Sequence, residues 1–110
     1  MERLIEEIRA CVGDEYERAA EKFGECFNSW HEMYAVLLEE FQEAQKEIEA
    51  FENAFDTLWL CVKENDYEFA ETCLGRMRER VENALCELVQ CAAMIFKAGY
   101  KRCDKPESEG

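Results

Sequence analysis

The chain has 110 residues, 48% of them hydrophobic, and a formal net charge of −13. This length supports one domain with a modest core, and the hydrophobic fraction argues for a folded chain over a disordered one. The negative charge argues against a nucleic-acid backbone or an anionic membrane as partner, so an anionic ligand needs bridging cations or a local basic patch.

No apolar run approaches the roughly 18 residues of a membrane span. The opening stretch from Met1 to Glu7 is amphipathic and acidic, unlike a signal or transit peptide. A cytoplasmic location is the expectation. Seven cysteines, an odd number with no C-x-x-C pair and a single histidine beside them, form neither a disulfide framework nor a zinc ligand set. Most fall where a small apolar side chain packs in a helix, and read as core thiols kept reduced. Cys103 is expected to be the most exposed.

In chain order, residues 2–24 show a helical period, with Leu4, Ile5, Ile8 and Val12 on one face and Tyr16, Ala19, Ala20 and Phe23 continuing it. Gly13-Asp14 is a candidate interruption, and Gly24 a C-terminal stop. Residues 25–29 read as a loop. With Ser29 as N-cap, Glu32 three residues on completes a capping box. A strong helical period follows from Trp30, with Met33, Tyr34, Leu37, Leu38, Phe41, Ala44, Ile48 and Phe51 on one face. Its phase shifts near Glu52-Asn53, which predicts a bend or short break at 52–56. Trp30, Tyr34 and Trp59 at this spacing read as core aromatics, with stacking on a base the alternative. Asn65-Asp66 ends the segment, and Asp66 is placed to cap the next.

The last helix is expected from about Tyr67 to Arg102, and its second half is inverted relative to an ordinary surface helix. Asn83, Glu87, Gln90, Met94, Lys97 and Lys101 form one thin polar line. Val81, Leu85, Leu88, Ala92, Ile95, Phe96 and Gly99 lie opposite, with small or apolar flanks between. Such a helix is covered on most sides, and its polar line faces solvent or a site. At 1.5 Å per residue it is roughly 50 Å long, which overhangs a small monomer and predicts a homodimer or homotetramer. The fold class is all-α: an antiparallel helical bundle with a long C-terminal helix, completed by oligomerisation. Residues 1–103 read as one helical domain, and 104–110, with the only proline, as a disordered tail.

Glu40, Glu43 and Glu47 share one face at i, i+3 and i+7. Like charges at this spacing repel by a few tenths of a kcal/mol per pair, a cost that a hard cation such as Mg2+ relieves. On the last helix Glu87 and Gln90 point together at i, i+3. Carboxylates from facing helices are how bundle proteins hold metals. The alternative is a solvated acidic face with Lys46 as partial relief.

Glu39-Glu40-Phe41-Gln42-Glu43 and Glu87-Leu88-Val89-Gln90 stand inside two longer phrases, Ser29 to Glu40 and Glu87 to Met94. Together they resemble the all-α nucleoside triphosphate pyrophosphohydrolases, the MazG-like and dimeric-dUTPase group, whose pattern is E-E-x-x-E on one helix and E-x-x-D on a later one. The longer phrases look like small MazG-like proteins of phages and prophages. The resemblance covers roughly residues 20 to 100. It implies that Glu40, Glu43 and Glu87 ligate Mg2+, that the metal grips nucleotide phosphates, and that a metal-activated water cleaves between the α and β phosphorus atoms. Gln90 departs from the family's Asp: an amide oxygen ligates, but it is neutral and cannot act as a base. Glu47 is a compensating carboxylate. Lys97 and Lys101 on the Gln90 stripe, with Asn83, and His31 near the start of the acidic helix, are candidate nucleotide contacts. Plain helix-end cations and a solvent-facing histidine are the alternatives.

Three readings follow: a nucleotide-binding protein with a weakened Mg2+ site that holds or sequesters its ligand with little turnover, an active Mg2+-dependent pyrophosphohydrolase, and a non-catalytic helical scaffold. No residue is assigned as catalytic.

Overall fold

The computed structural model describes residues 2–100, all-α and without a strand among them. Its helices are α1 (Glu2–Phe23), α2 (Trp30–Lys63) and α3 (Tyr67–Tyr100), of 22, 34 and 34 residues. The expected tail, Lys101, Arg102 and Cys103 lie outside the described residues.

Local chemistry accounts for the helix ends. Gly24 takes a φ of +96°, open to glycine and strained for residues with a Cβ, and its N–H closes on the Ala20 carbonyl at 2.8 Å. The N-terminus of α2 carries the expected cap: Ser29 Oγ accepts from the Glu32 N–H at 3.0 Å. The Glu32 carboxylate reaches back one residue further than a standard box, accepting from the Asn28 N–H at 2.7 Å. Between α2 and α3, Asn65 adopts a φ of 57°, a left-handed turn that asparagine tolerates. Asp66 Oδ1 then caps α3 by accepting from the Phe69 N–H at 3.2 Å.

Two expected breaks do not occur. Gly13-Asp14 lies within a continuous α1, and residues 52–56 within a continuous α2. A single glycine costs about 1 kcal/mol in a helix interior, less than ending the helix. In α2 the Thr57 hydroxyl bonds back to the Asn53 carbonyl at 3.0 Å, so the polar residues there attach to the helix they were expected to break.

The backbone groups into two compact units, one taking the chain up to Phe41 and resuming at Leu88, the other being Gln42–Glu87. The second unit is an antiparallel hairpin of α2 and α3. Glu47 meets Arg80 near its open end, and Cys61 and Cys73 share a buried cluster near the turn. In the first unit α1 packs through Tyr16, whose ring lies 5.1 Å from that of Phe96 and whose hydroxyl donates to the Glu25 carbonyl at 2.9 Å.

Among the described residues the buried ones are mostly small, Ala19, Ala44, Ala70, Ala84, Ala93, Cys61 and Cys73, with Tyr16 and Lys97 the large exceptions. The aromatic core expected at Trp30, Tyr34 and Trp59 is corrected, because all three are exposed in the single chain. The inward face of each long helix is the small-residue face. The large side chains stand outward, as Phe41, Ile48, Phe55 and Val62 at intervals of seven on α2, and Val81, Leu85, Leu88 and Ile95 on α3.

The caps generate the first prediction. Ser29→Ala and Asp66→Ala each lower unfolding stability by about 1 kcal/mol, read by urea denaturation. The two losses add, since the caps serve different helices.

Candidate functional site

The first unit contains a cavity of about 360 Å³, within the size range of small-ligand pockets. α1 supplies Glu15, Arg18, Ala19 and Phe23, the connecting loop Phe27, α2 Glu32, Val36, Glu39 and Glu40, and α3 Gln90, Met94 and Lys97. Three sequence-predicted residues, Glu40, Gln90 and Lys97, therefore line one cavity. The α3 polar line reaches it because the helix turns that line inward: Gln90 and Met94 are half-buried, and Lys97 is 5% exposed.

Lys97 is a buried cation with an aromatic partner. Its Nζ stands 4.4 Å from the centroid of the Phe27 ring, a cation–π contact worth about 0.5–2 kcal/mol as desolvation deepens. Arg18 is the second cation of the wall. Its guanidinium donates to both carboxylate oxygens of Glu15, the Nε bond at 3.1 Å, and this pairing raises its pKa further. Glu32 is occupied by the α2 cap. Glu39 is exposed on its helix and Glu40 half-buried. Cys91 stands close enough to Glu40 to feel it: burial first, and then the Glu40 carboxylate, push the Cys91 thiol up.

The remaining predicted residues lie elsewhere. Glu43, Glu47, Asn83 and Glu87 belong to the second unit. Glu43 is exposed and pairs with Lys46 at 3.5 Å, the relief expected of a solvated acidic face. Glu47 accepts from Arg80 at 3.2 Å and from the Asn83 amide at 3.5 Å, so the acidic face is neutralised in part by an arginine of α3. His31 is exposed in the first turn of α2. Lys101 lies outside the described residues. Among the described residues no group of three or more His, Cys, Asp or Glu side chains is placed to hold a metal ion.

Sequence reasoning missed Arg18 and Phe27. Neither belongs to a motif, and α1 and the loop reach the cavity only through tertiary packing. Glu39 was legible as part of the acidic phrase. Among the described residues the free thiols are Cys11, Cys61, Cys73, Cys86 and Cys91, of which Cys61 and Cys73 are buried, which corrects the expectation of mostly core thiols. Cys26 is disulfide-bonded, against the expectation of a fully reduced set.

No family model, curated protein or solved structure matches the chain.

Lys97 generates the second prediction. Lys97→Met keeps the stem against Phe27 and lowers stability by less than about 1.5 kcal/mol. Lys97→Glu puts a carboxylate into the same buried position beside an acidic wall and costs about 2 kcal/mol or more. Denaturant titration of both variants checks the order.

Proposed function

We propose that the protein binds a phosphorylated nucleotide in the cavity of the first unit, as a MazG-like protein whose site favours holding the ligand over turning it over. The observation that carries this reading is the convergence of Glu40, Gln90 and Lys97, chosen from sequence, on one cavity that also holds Arg18 and Phe27. Lys97 and Arg18 are suited to anionic oxygens, and Phe23 and Phe27 to a base.

The donors suit Mg2+ in a particular way. Mg2+ keeps several waters and takes one or two carboxylates plus substrate phosphates, so a closed protein cage is not needed. Glu40 and Gln90 would hold it, with Glu39 nearby on the same wall. When bound, the metal would polarise the phosphoryl oxygens it touches. Glu40 orients and neutralises, Lys97 attracts the phosphate chain, and Gln90 contributes an amide oxygen but takes no proton. That last property supports binding with little turnover over efficient hydrolysis. A cytoplasmic setting belongs to this reading. No helix among the described residues is long and apolar enough to cross a membrane.

Self-association belongs to it as well. Val81, Leu85, Leu88, Ala92 and Ile95 follow a 4-3-4-3 spacing on α3, the seam of a helix that packs against another. Leu85 and Ile95 are each 56% exposed in the single chain. A second copy covers this seam in a homodimer or homotetramer.

Two predictions test the reading. A thermal-shift panel of nucleoside mono-, di- and triphosphates should show a rise in Tm with at least one phosphorylated nucleotide, larger with Mg2+. Calorimetric Mg2+ titration with that nucleotide present should show tighter binding in Gln90→Asp than in wild type and weaker binding in Glu40→Gln. No Tm response to any nucleotide, with or without the metal, refutes the proposal. Separately, light scattering should give a mass of at least twice 12.9 kDa, and Leu85→Glu with Ile95→Glu should shift it toward the monomer. A monomeric wild type across micromolar concentrations removes the seam argument.

A further inference from the structure

Two thiols of the second unit take no part in the nucleotide reading. Cys61, near the end of α2, and Cys73, in the second turn of α3, share a buried cluster with Ala70, and Leu58 packs against it. Both are free thiols, and Cys73 stands close enough to Cys61 to hold its thiol pKa up. Cys73 is 0% exposed and Cys61 is 5% exposed. The turn holds them together through the backbone: the Asp66 N–H donates to the Cys61 carbonyl at 2.9 Å, and the Ala70 N–H to the Asp66 carbonyl at 3.0 Å. Each long helix thus contributes one sulfur to the same point of the hairpin.

We propose that Cys61 and Cys73 are an oxidative modification site, at which a hydroperoxide converts the facing thiols into an intrachain disulfide that staples α2 to α3. With hydrogen peroxide the stoichiometry is two thiols and one peroxide giving one disulfide and two waters. One thiol loses its proton, and its sulfur attacks the peroxide, breaking the O–O bond. The departing hydroxide takes up the released proton as the first water, and the attacking sulfur becomes a sulfenic acid. The second sulfur then attacks that sulfenic sulfur, forming the S–S bond. The sulfenic hydroxyl leaves with the second thiol's proton as the second water. The neighbouring thiol belongs to the same buried cluster, so it resolves the sulfenic acid before a second peroxide carries it to the sulfinic state.

The site is guarded. Burial first, then the neighbouring Cys73 and the negative groups Asp66 and Glu64, hold the Cys61 thiol up, so Cys61 stays protonated near neutral pH and is a slow nucleophile. Reaction proceeds through local opening of the hairpin end. Once made, the disulfide restricts the unfolded chain and closes that opening.

The test uses the reduced full-length protein and a small molar excess of hydrogen peroxide, followed by catalase, denaturation and alkylation of the remaining thiols. Trypsin cuts after Lys46, Lys63 and Arg76, so Cys61 and Cys73 fall on separate peptides, 47–63 and 64–76, each with one cysteine. The expected product is these two peptides joined, two hydrogens lighter than their sum. The rise in melting temperature on oxidation should exceed by about 5 °C the rise in Cys73→Ser treated in the same way, where the Cys26 disulfide still forms. The peptide map of the wild type decides without relying on how well the variant folds. Recovery of Cys61 and Cys73 as alkylated thiols, as sulfinic acids, or paired with other cysteines overturns the proposal. Nucleotide binding plays no part in this readout, so its outcome is independent of the functional reading above.

Discussion

The constraint on which the rest depends is that α3 has two faces that want different neighbours. Its thin polar line holds Glu87, Gln90 and Lys97. Its broad apolar face holds Leu85, Leu88 and Ile95. Within one chain the helix turns the polar line inward and leaves the apolar face outward. A buried lysine is tolerable only where its stem packs and its ammonium finds a partner. Lys97 meets both conditions by lying against Phe27.

That choice sets the character of the core. A helix that buries a polar line beside alanines and cysteines packs closely but removes little apolar area from water. At about 25 cal/mol per Å², alanine and cysteine contacts supply far less than the leucine, phenylalanine and tryptophan side chains that stand outside. The small residues allow close approach of the helices within each unit, and the large ones carry unspent hydrophobic surface. This is the opposite of an ordinary three-helix monomer, where large residues interdigitate and alanines sit at the margin. The seven-residue intervals of Phe41, Ile48, Phe55 and Val62 repeat the same logic on α2.

The cavity follows from the same inversion. An inward polar line needs a polar lining opposite, and α1 and α2 provide it with Arg18, Glu39 and Glu40. Charge is locally balanced but not cancelled: Glu15 holds Arg18, Glu32 is committed to its cap, and Lys97 faces an aromatic ring. In the second unit the comparable acidic surface is met differently, through the Glu47–Arg80 pair and the Glu43–Lys46 pair. Motif spacing alone treats the acidic residues of α2 as one set; their side-chain partners separate them.

Helix identity, helix ends and the polar line were determined by the sequence, because each rests on interactions within a few residues. Gly24 stops α1, Ser29 with Glu32 starts α2, and Asn65-Asp66 reverses the chain, all through backbone groups satisfied locally. Glu40, Gln90 and Lys97 were legible because helical period puts residues on a common face before any packing is known. Which face turns inward was decided only by the tertiary structure. Periodicity groups Trp30, Tyr34 and Trp59 with the apolar face but does not say whether that face meets its own chain. Here the small-residue face wins the intrachain contacts, since close helix approach favours alanine and cysteine over tryptophan. For the same reason Arg18, Phe27 and the Arg80 partner of Glu47 escaped the sequence: each acts on residues distant in the chain, and no local pattern encodes that distance.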